Sequence, residues 1–229
     1  MKKKISVIGL GLALLVLSGC NSSTPVKTQG FLGDYSHFEE KEWSDGAKVK
    51  LHTGTTKLES LARYSKVMLL PPEIWHGEGS AYQDVDADEM KFVSGAFVAK
   101  VQEAFDADVQ FVDQAGPGVI TVRTAITGVE RMYPERSGWG YIPIALLVEA
   151  GKGATNKAQG EETIVYRVSL EAEVYDSLNG GLLISMTDQR TTEKREVATG
   201  EKRIEDVEQV MTYWGQRFRS NWDQAHGES

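Results

Sequence analysis

The clearest alternation of apolar and polar residues along the chain runs over residues 163–176. One face of this stretch carries Ile164, Tyr166, Val168, Leu170, Ala172 and Val174, and the other carries Arg167, Ser169, Glu171 and Glu173. A period of two predicts a half-buried strand. Turn-forming residues follow at 177–181, and residues 182–191 form a second apolar run. The pattern therefore predicts a β-hairpin.

Three further strands are predicted before this hairpin. Residues 67–70 form a short apolar run that Pro71 and Pro72 end, since proline cannot donate a ladder hydrogen bond. Residues 109–113 form a second run. Residues 119–127 alternate after a turn at 115–118.

Two helices are predicted from apolar positions three and four residues apart. Asp86 and Glu89 have the spacing of a capping box, and a stripe ending near residue 106 follows them: Met90, Val93, Phe97, Val101 and Ala104. The second stripe comprises Ile204, Val207, Met211, Trp214 and Phe218. Acidic residues begin this helix and arginines lie near its end, which suits the helix dipole.

The order of these elements predicts the fold class. Strands outnumber helices and no internal repeat is visible, so we expect an α+β fold with a mainly antiparallel sheet and helices packed on one face. We expect residues 31–225 to form a single domain, because a chain of this length suits one core.

The first 19 residues have the layout of a cleaved secretory signal. Lys2, Lys3 and Lys4 precede an apolar run at 5–17, which is too short for a comfortable membrane span. The polar residues 21–30 contain a proline and predict a flexible tether. The expected organisation is therefore a signal peptide at 1–19, a cysteine and tether at 20–30, and the folded domain.

The single cysteine of the chain, Cys20, follows Leu17, Ser18 and Gly19. These four residues resemble the lipobox of bacterial lipoproteins. The resemblance implies that Cys20 is acylated and that the lipid bilayer is a partner of the protein. Several acyl chains make a stable anchor, whereas one holds a protein only marginally. Asn21 occupies the position where aspartate favours inner-membrane retention in enteric bacteria, so the resemblance implies an outer-membrane anchor facing the periplasm.

Charge excludes nucleic acid as an expected partner. Removal of residues 1–19 takes away three lysines and no acid, which moves the formal net charge from −8 to −11. Nucleic-acid phosphates require a basic face. With one cysteine, no internal disulfide can form, and an apolar core must stabilise the fold.

No motif predicts a metal, a cofactor or a catalytic residue. The four histidines lack ligand spacing from one another, and Glu73 and His76 follow two prolines that disfavour a metal-binding helix. Nothing in the sequence places a nucleophile beside a base. We therefore expect no cofactor and a non-enzymatic protein.

One apolar segment, residues 138–154, lies between predicted strands where a short polar connection would suffice. It is either a helix or helical crossover packed on the sheet, or an exposed patch for a partner or for the membrane to which the protein is tethered. The second interpretation gives the candidate interface residues Trp139, Tyr141, Ile142, Ile144, Leu146 and Leu147.

Several stretches together resemble a bacterial lipoprotein family, domain of unknown function 3313. They are GFLGDYS (30–36), YSKVMLLPPEIW (64–75), AGPGVITVRTAITGVE (115–130), IPIALLVEAGKGAT (142–155), VYRVSLEAEVYDSLNGGLL (165–183) and YWGQRFRSNWD (213–223). The resemblance implies a periplasm-facing lipoprotein and supplies no catalytic residue.

Three functions remain open at this point. The first is a lipid-anchored domain that binds an envelope protein or peptidoglycan. The second is an envelope-polymer hydrolase that uses acids such as Glu73, Asp84 or Asp86. The third is a carrier of a small apolar ligand, which would need an apolar pocket beneath the sheet.

Overall fold

A computed structural model describes residues 30–43, 46–53, 58–105, 109–133 and 161–227. Within these ranges the chain forms strands, two α-helices and two short 3-10 helices. The strands are β1 (Glu39–Glu42), β2 (Lys48–Thr53), β3 (Lys66–Leu69), β4 (Glu73–Ile74), β5 (Ala81–Gln83), β6 (Gln110–Phe111), β7 (Val119–Met132), β8 (Glu161–Asp176), β9 (Leu182–Thr191) and β10 (Arg195–Ala198). The helices are α1 (Ala87–Phe105) and α2 (Glu208–His226), and the 3-10 helices are Leu58–Arg63 and Ile204–Val207.

One open sheet is built around the antiparallel pair β7 and β8. The order of its main strands is β1-β2-β9-β8-β7-β3-β6. Strand β10 pairs with the first residues of β8, while β3, β4 and β5 pair in succession along β7. A bulge between Ile126 and Gly128 shifts the register of the central pair. The predicted hairpin of β8 and β9 is confirmed.

The α+β class agrees with this architecture, but the expected mainly antiparallel sheet is mixed. Strands β3, β4 and β5 run parallel to β7, and β6 runs parallel to β3. The physical reason is the connection between the strands. Strands β3, β4 and β5 run along β7 in one direction, and α1 then returns the chain to the end of the sheet at which β3 begins. Parallel strands require such a crossover.

Helix α1 begins at the predicted capping box. The Asp86 N–H donates to Glu89 Oε2 at 2.8 Å, and the Glu89 N–H donates to Asp86 Oδ1 at 3.0 Å. The apolar stripe of α1 is buried: Met90, Val93, Phe97, Val101 and Phe105. The stripe is therefore buried as predicted, although its last buried residue is Phe105 rather than Ala104.

Helix α2 begins and ends later along the chain than its stripe predicted. Ile204 and Val207 lie in a 3-10 helix, and α2 itself begins at Glu208 and ends before Gly227, which has φ +74°. Met211 and Trp214 are buried as predicted, and Val210 and Trp222 are buried with them. Both helices share one core with Tyr166, Val168 and Leu170 of β8, so they pack on this face of the sheet.

The opposite face of the sheet is covered in part by the segment 30–38. Phe31 packs beneath the Arg123 guanidinium, whose carbon lies 4.1 Å from the ring centre, and meets Trp75 edge-on at 5.9 Å. Glu171 Oε2 accepts hydrogen bonds from the Tyr35 hydroxyl at 2.5 Å and from the Leu32 N–H at 3.1 Å. Residues 30–38 are therefore packed against the sheet as part of the described fold.

The signal peptide, Cys20 and residues 21–29 lie outside the described residues, and so does the segment 134–160 between β7 and β8. The domain boundaries proposed from the sequence thus stay predictions. Within the described ranges, neither helix is both long enough and apolar enough to cross a bilayer.

Candidate functional site

Four half-buried apolar side chains form a continuous row across the sheet on the side that faces the helices. Leu69 of β3 pairs with Val122 of β7, Val122 with Val174 of β8, and Val174 with Ile184 of β9. The adjacent positions in the two central strands, Thr124 and Ala172, are fully buried. The helices therefore leave a gap over this row, which we call the apolar row.

This gap is a small apolar cavity. Its volume is about 90 Å³, and Val101 and Phe105 of α1 and Phe218 and Trp222 of α2 form its roof above the apolar row. Drug-sized ligands occupy pockets of about 300–1,000 Å³, and a cavity of about 150 Å³ holds benzene. The cavity is thus too small for a ring system and has room for part of a thin, flexible chain.

Trp43 lines the cavity and carries a buried polar atom. This residue follows β1, and its side chain packs against the cluster of Val49, Leu51, Ala172 and Met186. The indole Nε1 is shielded from solvent and has no hydrogen-bond partner among the described residues. Buried indole N–H groups usually find an acceptor, because an unmatched buried donor is costly.

Arginines and aromatic rings alternate beside Trp43. The Arg217 guanidinium lies 5.1 Å from the Trp43 ring centre and 5.5 Å from that of Tyr213, and Arg190 stacks on Tyr213 at 5.0 Å. Such contacts stabilise the cations by the negative faces of the rings. They place the Arg217 guanidinium over the Trp43 ring.

An open polar groove adjoins the cavity, and Trp43 and Asn221 line both. The groove runs between α1 and α2 and has charged side chains of both signs. Lys100 pairs with Glu103 at 3.0 Å, and Arg219 pairs with Asp223 at 2.7 Å. Cavity and groove together give an apolar interior with a polar entrance.

The three acids considered for hydrolysis are each held by a different cation. Glu73 lies 3.0 Å from Arg123, Asp86 lies 2.8 Å from Lys202, and Asp84 lies 3.9 Å from Arg131. Asp86 also caps α1, and hydrogen bonding to Lys202 is the main cause that lowers its pKa. Each of the three carboxylates is therefore already engaged with a cation.

The histidines lie apart from the cavity lining. The structure brings the rings of His37 and His52 to 5.8 Å, a proximity that their sequence spacing did not reveal. His226 contacts two backbone carbonyls, of Trp222 and Tyr64, each at 2.8 Å. Among the described residues, no cluster of three or more histidine, cysteine or acidic side chains could hold a metal ion.

The site residues proposed from the sequence all lie outside the described residues. These are Cys20 and the candidate interface Trp139, Tyr141, Ile142, Ile144, Leu146 and Leu147. Sequence reasoning missed the apolar row and Trp43. The row draws one residue from each of four strands, and Trp43 lies in a turn-rich stretch without periodicity, so no local pattern marked them.

Comparison with known proteins places the chain in a family. The model of the family described as protein of unknown function (DUF3313) matches residues 27–218. The chain belongs to this family. The resemblance stated from the sequence is therefore confirmed. A relative in Escherichia coli K12, named uncharacterized lipoprotein YdcL, is 26% identical over 200 residues, which cover 86% of this chain and 87% of YdcL.

A comparison with solved structures matches two proteins of distant sequence. The PelC dodecamer of Paraburkholderia phytofirmans has 14% identity and a TM-score of 0.31, with 76% of this chain and 96% of that chain covered. The rare lipoprotein B of Shewanella oneidensis has 11% identity and a TM-score of 0.28, with 71% and 93% covered.

Proposed function

We propose that the protein is a lipid-anchored lipoprotein of the bacterial cell envelope. The proposal rests on the signal-like residues 1–19, on the lipobox-like residues 17–20 and on the lipoprotein name of the relative YdcL. Cys20 is the proposed lipid attachment site. Ten residues lead from Cys20 to Gly30, so the folded domain would lie within about 35 Å of its anchor.

The proposed location is the outer membrane, with the domain facing the periplasm. Asn21 in place of aspartate supports this location by resemblance to the sorting rule of enteric bacteria. The test is the variant Asn21→Asp, analysed by separation of inner and outer membranes. Transfer of the variant to the inner-membrane fraction is expected, and an unchanged distribution would contradict the role of Asn21.

The anchor itself is tested by metabolic labelling with radioactive palmitate. The unaltered chain should take up the label and sediment with membranes. Cys20→Ala should lose the label completely, because it removes the thiol that is acylated. Ser18→Thr leaves the thiol in place and serves as a control that should still be labelled. A label that persists in Cys20→Ala would contradict the attachment site.

The proposed activity is non-enzymatic binding of another envelope component, a protein or peptidoglycan. The observations that support it are the apolar cavity at the apolar row, lined in part by Trp43 with its shielded nitrogen, and the ion pairs that already occupy the candidate acids Glu73 and Asp86 away from that cavity. Such a site provides apolar contact and one hydrogen-bond donor. General acid–base chemistry would instead need a carboxylate or imidazole within hydrogen-bond reach of the bound substrate.

The segment 139–148 is the second proposed contact, for a protein partner. Its test is photo-crosslinking in living cells with a probe at Tyr141 or Leu146 of the lipidated protein. A discrete adduct is expected, and mass spectrometry would identify the partner. A probe at Leu178, an exposed residue of the β8–β9 turn, is the control. Equal labelling from Leu178 would overturn the assignment.

A carrier of a small apolar ligand is the alternative function that the cavity favours. The cavity volume of about 90 Å³ limits the enclosed part of a ligand to a few methylene groups. A carrier function is therefore restricted to ligands with a narrow apolar chain.

A further inference from the structure

We propose that His226 forms a pH-sensitive latch, in which a doubly protonated imidazole holds the last turn of α2 to the chain at Tyr64. The latch joins the end of α2 to the residue that follows the 3-10 helix Leu58–Arg63 and precedes β3. The inference concerns a contact within the fold, so it goes beyond the proposed binding function and does not depend on it.

Both ring nitrogens of His226 lie at hydrogen-bond distance from a backbone carbonyl oxygen. Nδ1 is 2.8 Å from the Trp222 oxygen, and Nε2 is 2.8 Å from the Tyr64 oxygen. A carbonyl oxygen only accepts, and a neutral imidazole has one N–H and one bare nitrogen. A neutral ring would therefore leave a nitrogen lone pair facing an oxygen lone pair. Only the imidazolium, which has two N–H groups, donates to both oxygens.

The two carbonyl groups are held in place by the residues that carry them. Trp222 is buried within α2, and its ring meets Phe105 edge-on at 6.1 Å. Tyr64 is also buried, its N–H donates to the Leu61 carbonyl at 2.9 Å, and its hydroxyl donates to Asp176 Oδ2 at 2.8 Å. Neither oxygen can turn away from the imidazole without disturbing these contacts, so the contact itself must weaken when the ring loses a proton.

The position of His226 favours the charged form of the ring. His226 is the last residue of α2, where the helix dipole attracts a cation. The imidazole also stacks on the Trp222 indole, with the two ring centres 4.4 Å apart, and the face of an indole attracts a cation.

The charged side chains on the elements around the latch have other partners or lie apart from it. They are Arg219 and Asp223 of α2, which pair at 2.7 Å, Lys100 and Glu103 of α1, which pair at 3.0 Å, Arg63 and Asp176, which lie 3.9 Å apart, and Lys66 at the start of β3. Within the ranges that the structure describes, no carboxylate forms an ion pair with His226. The latch therefore depends on the two carbonyl oxygens.

A rise in pH should release the latch. Histidine commonly loses its second ring proton between about pH 5 and pH 8. Because the latched state uses both ring protons and the released state does not, the stabilisation is present at low pH and is lost as the pH rises. The Trp222 side chain lines the cavity above the apolar row, so release of the latch would loosen one side of that cavity.

Amide hydrogen exchange of the full chain, followed by mass spectrometry, measures the latch. Exchange is compared at about pH 6 and about pH 8 and corrected for the intrinsic effect of pH on the rate. Protection of residues 219–227 should fall about tenfold at the higher pH, as for the loss of one charge-assisted hydrogen bond. Protection of β8 should stay the same. Equal protection of 219–227 at both pH values would overturn the proposal.

Three variants separate the latch from other effects of pH. His226→Gln cannot take up a proton and His226→Lys stays charged at both pH values, so both variants should lose the pH dependence of residues 219–227. His76→Gln, at an exposed position, is the matched control and should keep it. Unchanged protection of β8 shows that each variant is folded. A pH dependence that persists in both His226 variants would overturn the assignment.

Nuclear magnetic resonance of the full chain labelled with 15N-histidine tests the two donors directly. At about pH 6, both ring N–H groups of His226 should be observed and should exchange slowly with water, because each donates to a carbonyl. The exposed ring of His76 should exchange rapidly. A single slowly exchanging N–H on His226 at this pH would overturn the double donor.

Hydroxyl-radical labelling tests the connection between the latch and the cavity. Oxidation of Trp222 should increase between about pH 6 and about pH 8, whereas that of Trp214, which is 1% exposed, should not change. Oxidation of Trp222 that does not change with pH would overturn the coupling of the latch to the cavity.

Discussion

Trp214 of α2 donates its indole N–H to Asp188 Oδ2 of β9 at 2.9 Å in the interior of the domain. Arg190 lies 2.9 Å from the other oxygen of the same carboxylate and donates to the Lys48 carbonyl. Burial raises the pKa of Asp188, while Arg190 and Trp214 oppose that shift. This cluster therefore links α2 to the β9 and β2 side of the sheet.

Removal of Asp188 should be strongly destabilising. Asp188→Ala leaves the buried Arg190 charge and the Trp214 N–H without their shared acceptor, and the free energy of unfolding should fall by about 3–5 kcal/mol. Urea unfolding measures the change. The double variant Asp188→Leu with Arg190→Met should recover most of the loss, since it leaves no unpaired charge. A double variant as unstable as the single one would contradict this account.

Gly215 marks the point where the two helices meet most closely. A Cβ built at Gly215 would lie 2.6 Å from the Lys100 carbonyl oxygen of α1 and 3.2 Å from Ala104 Cβ. Gly215→Ala should therefore reduce the free energy of unfolding by about 1–3 kcal/mol, although alanine is the better helix former.

Gly95 supplies the matched control for that substitution. It lies within α1, and a Cβ there meets no described atom within 4 Å. Gly95→Ala should stabilise the protein by about 0.5–1 kcal/mol through helix propensity alone. The two variants should thus shift the thermal midpoint in opposite directions. Shifts of the same sign would contradict the close approach at Gly215.

Glu171 should make stability depend on pH. Burial is the largest cause that raises its pKa above the ordinary value of 4.5, and repulsion from Glu173 adds to it, while hydrogen bonds from Tyr35 and Leu32 oppose the shift. The folded state therefore holds the Glu171 proton more tightly than the unfolded state. The contribution of the protonated group is fully present below 4.5 and is lost as pH rises through the raised pKa.

Glu171→Gln tests this dependence because the neutral amide cannot ionise. The free energy of unfolding of Glu171→Gln relative to the unaltered chain should increase as pH rises above 4.5. Chemical unfolding at several pH values measures the difference. Glu196→Gln, at an exposed position of β10, is the control and should give a flatter difference. A difference for Glu171→Gln that stays constant with pH would show that Glu171 does not titrate in this way.

The capping box of α1 provides the last prediction. Asp86→Ala removes the acceptor of the Asp88 and Glu89 N–H groups and the ion pair with Lys202. The thermal midpoint should fall by about 2–4 °C, as for the loss of a typical N-cap in a domain of this size. Asp88→Ala removes the same charge from the same turn without removing a cap, and it should have a smaller effect.

Local features of the fold were predictable because they depend on residues near one another in the chain. The capping box needs residues three apart, the α1 stripe needs apolar positions three and four apart, and the β8–β9 hairpin needs two alternating runs beside a turn. The runs that form β3 and β6 were predicted as strands, but their parallel pairing and the strands β4 and β5 were missed. Strands β4 and β5 have only two and three residues, which is too short for a period to be visible.

The sequence by itself determined the class of the fold, the faces of the long strands and helices, and the family of the protein. Apart from the β8–β9 hairpin, only the tertiary structure decided which strands became neighbours, because the pairing of β3, β4 and β5 with β7 depends on how the crossover through α1 returns the chain to the sheet. The apolar row exists because of this strand order. Leu69 and Ile184 come from distant parts of the chain, and they join one surface because β7 and β8 lie between their strands. Trp43 reaches the same cavity through a turn without periodicity, so packing rather than pattern placed its N–H there.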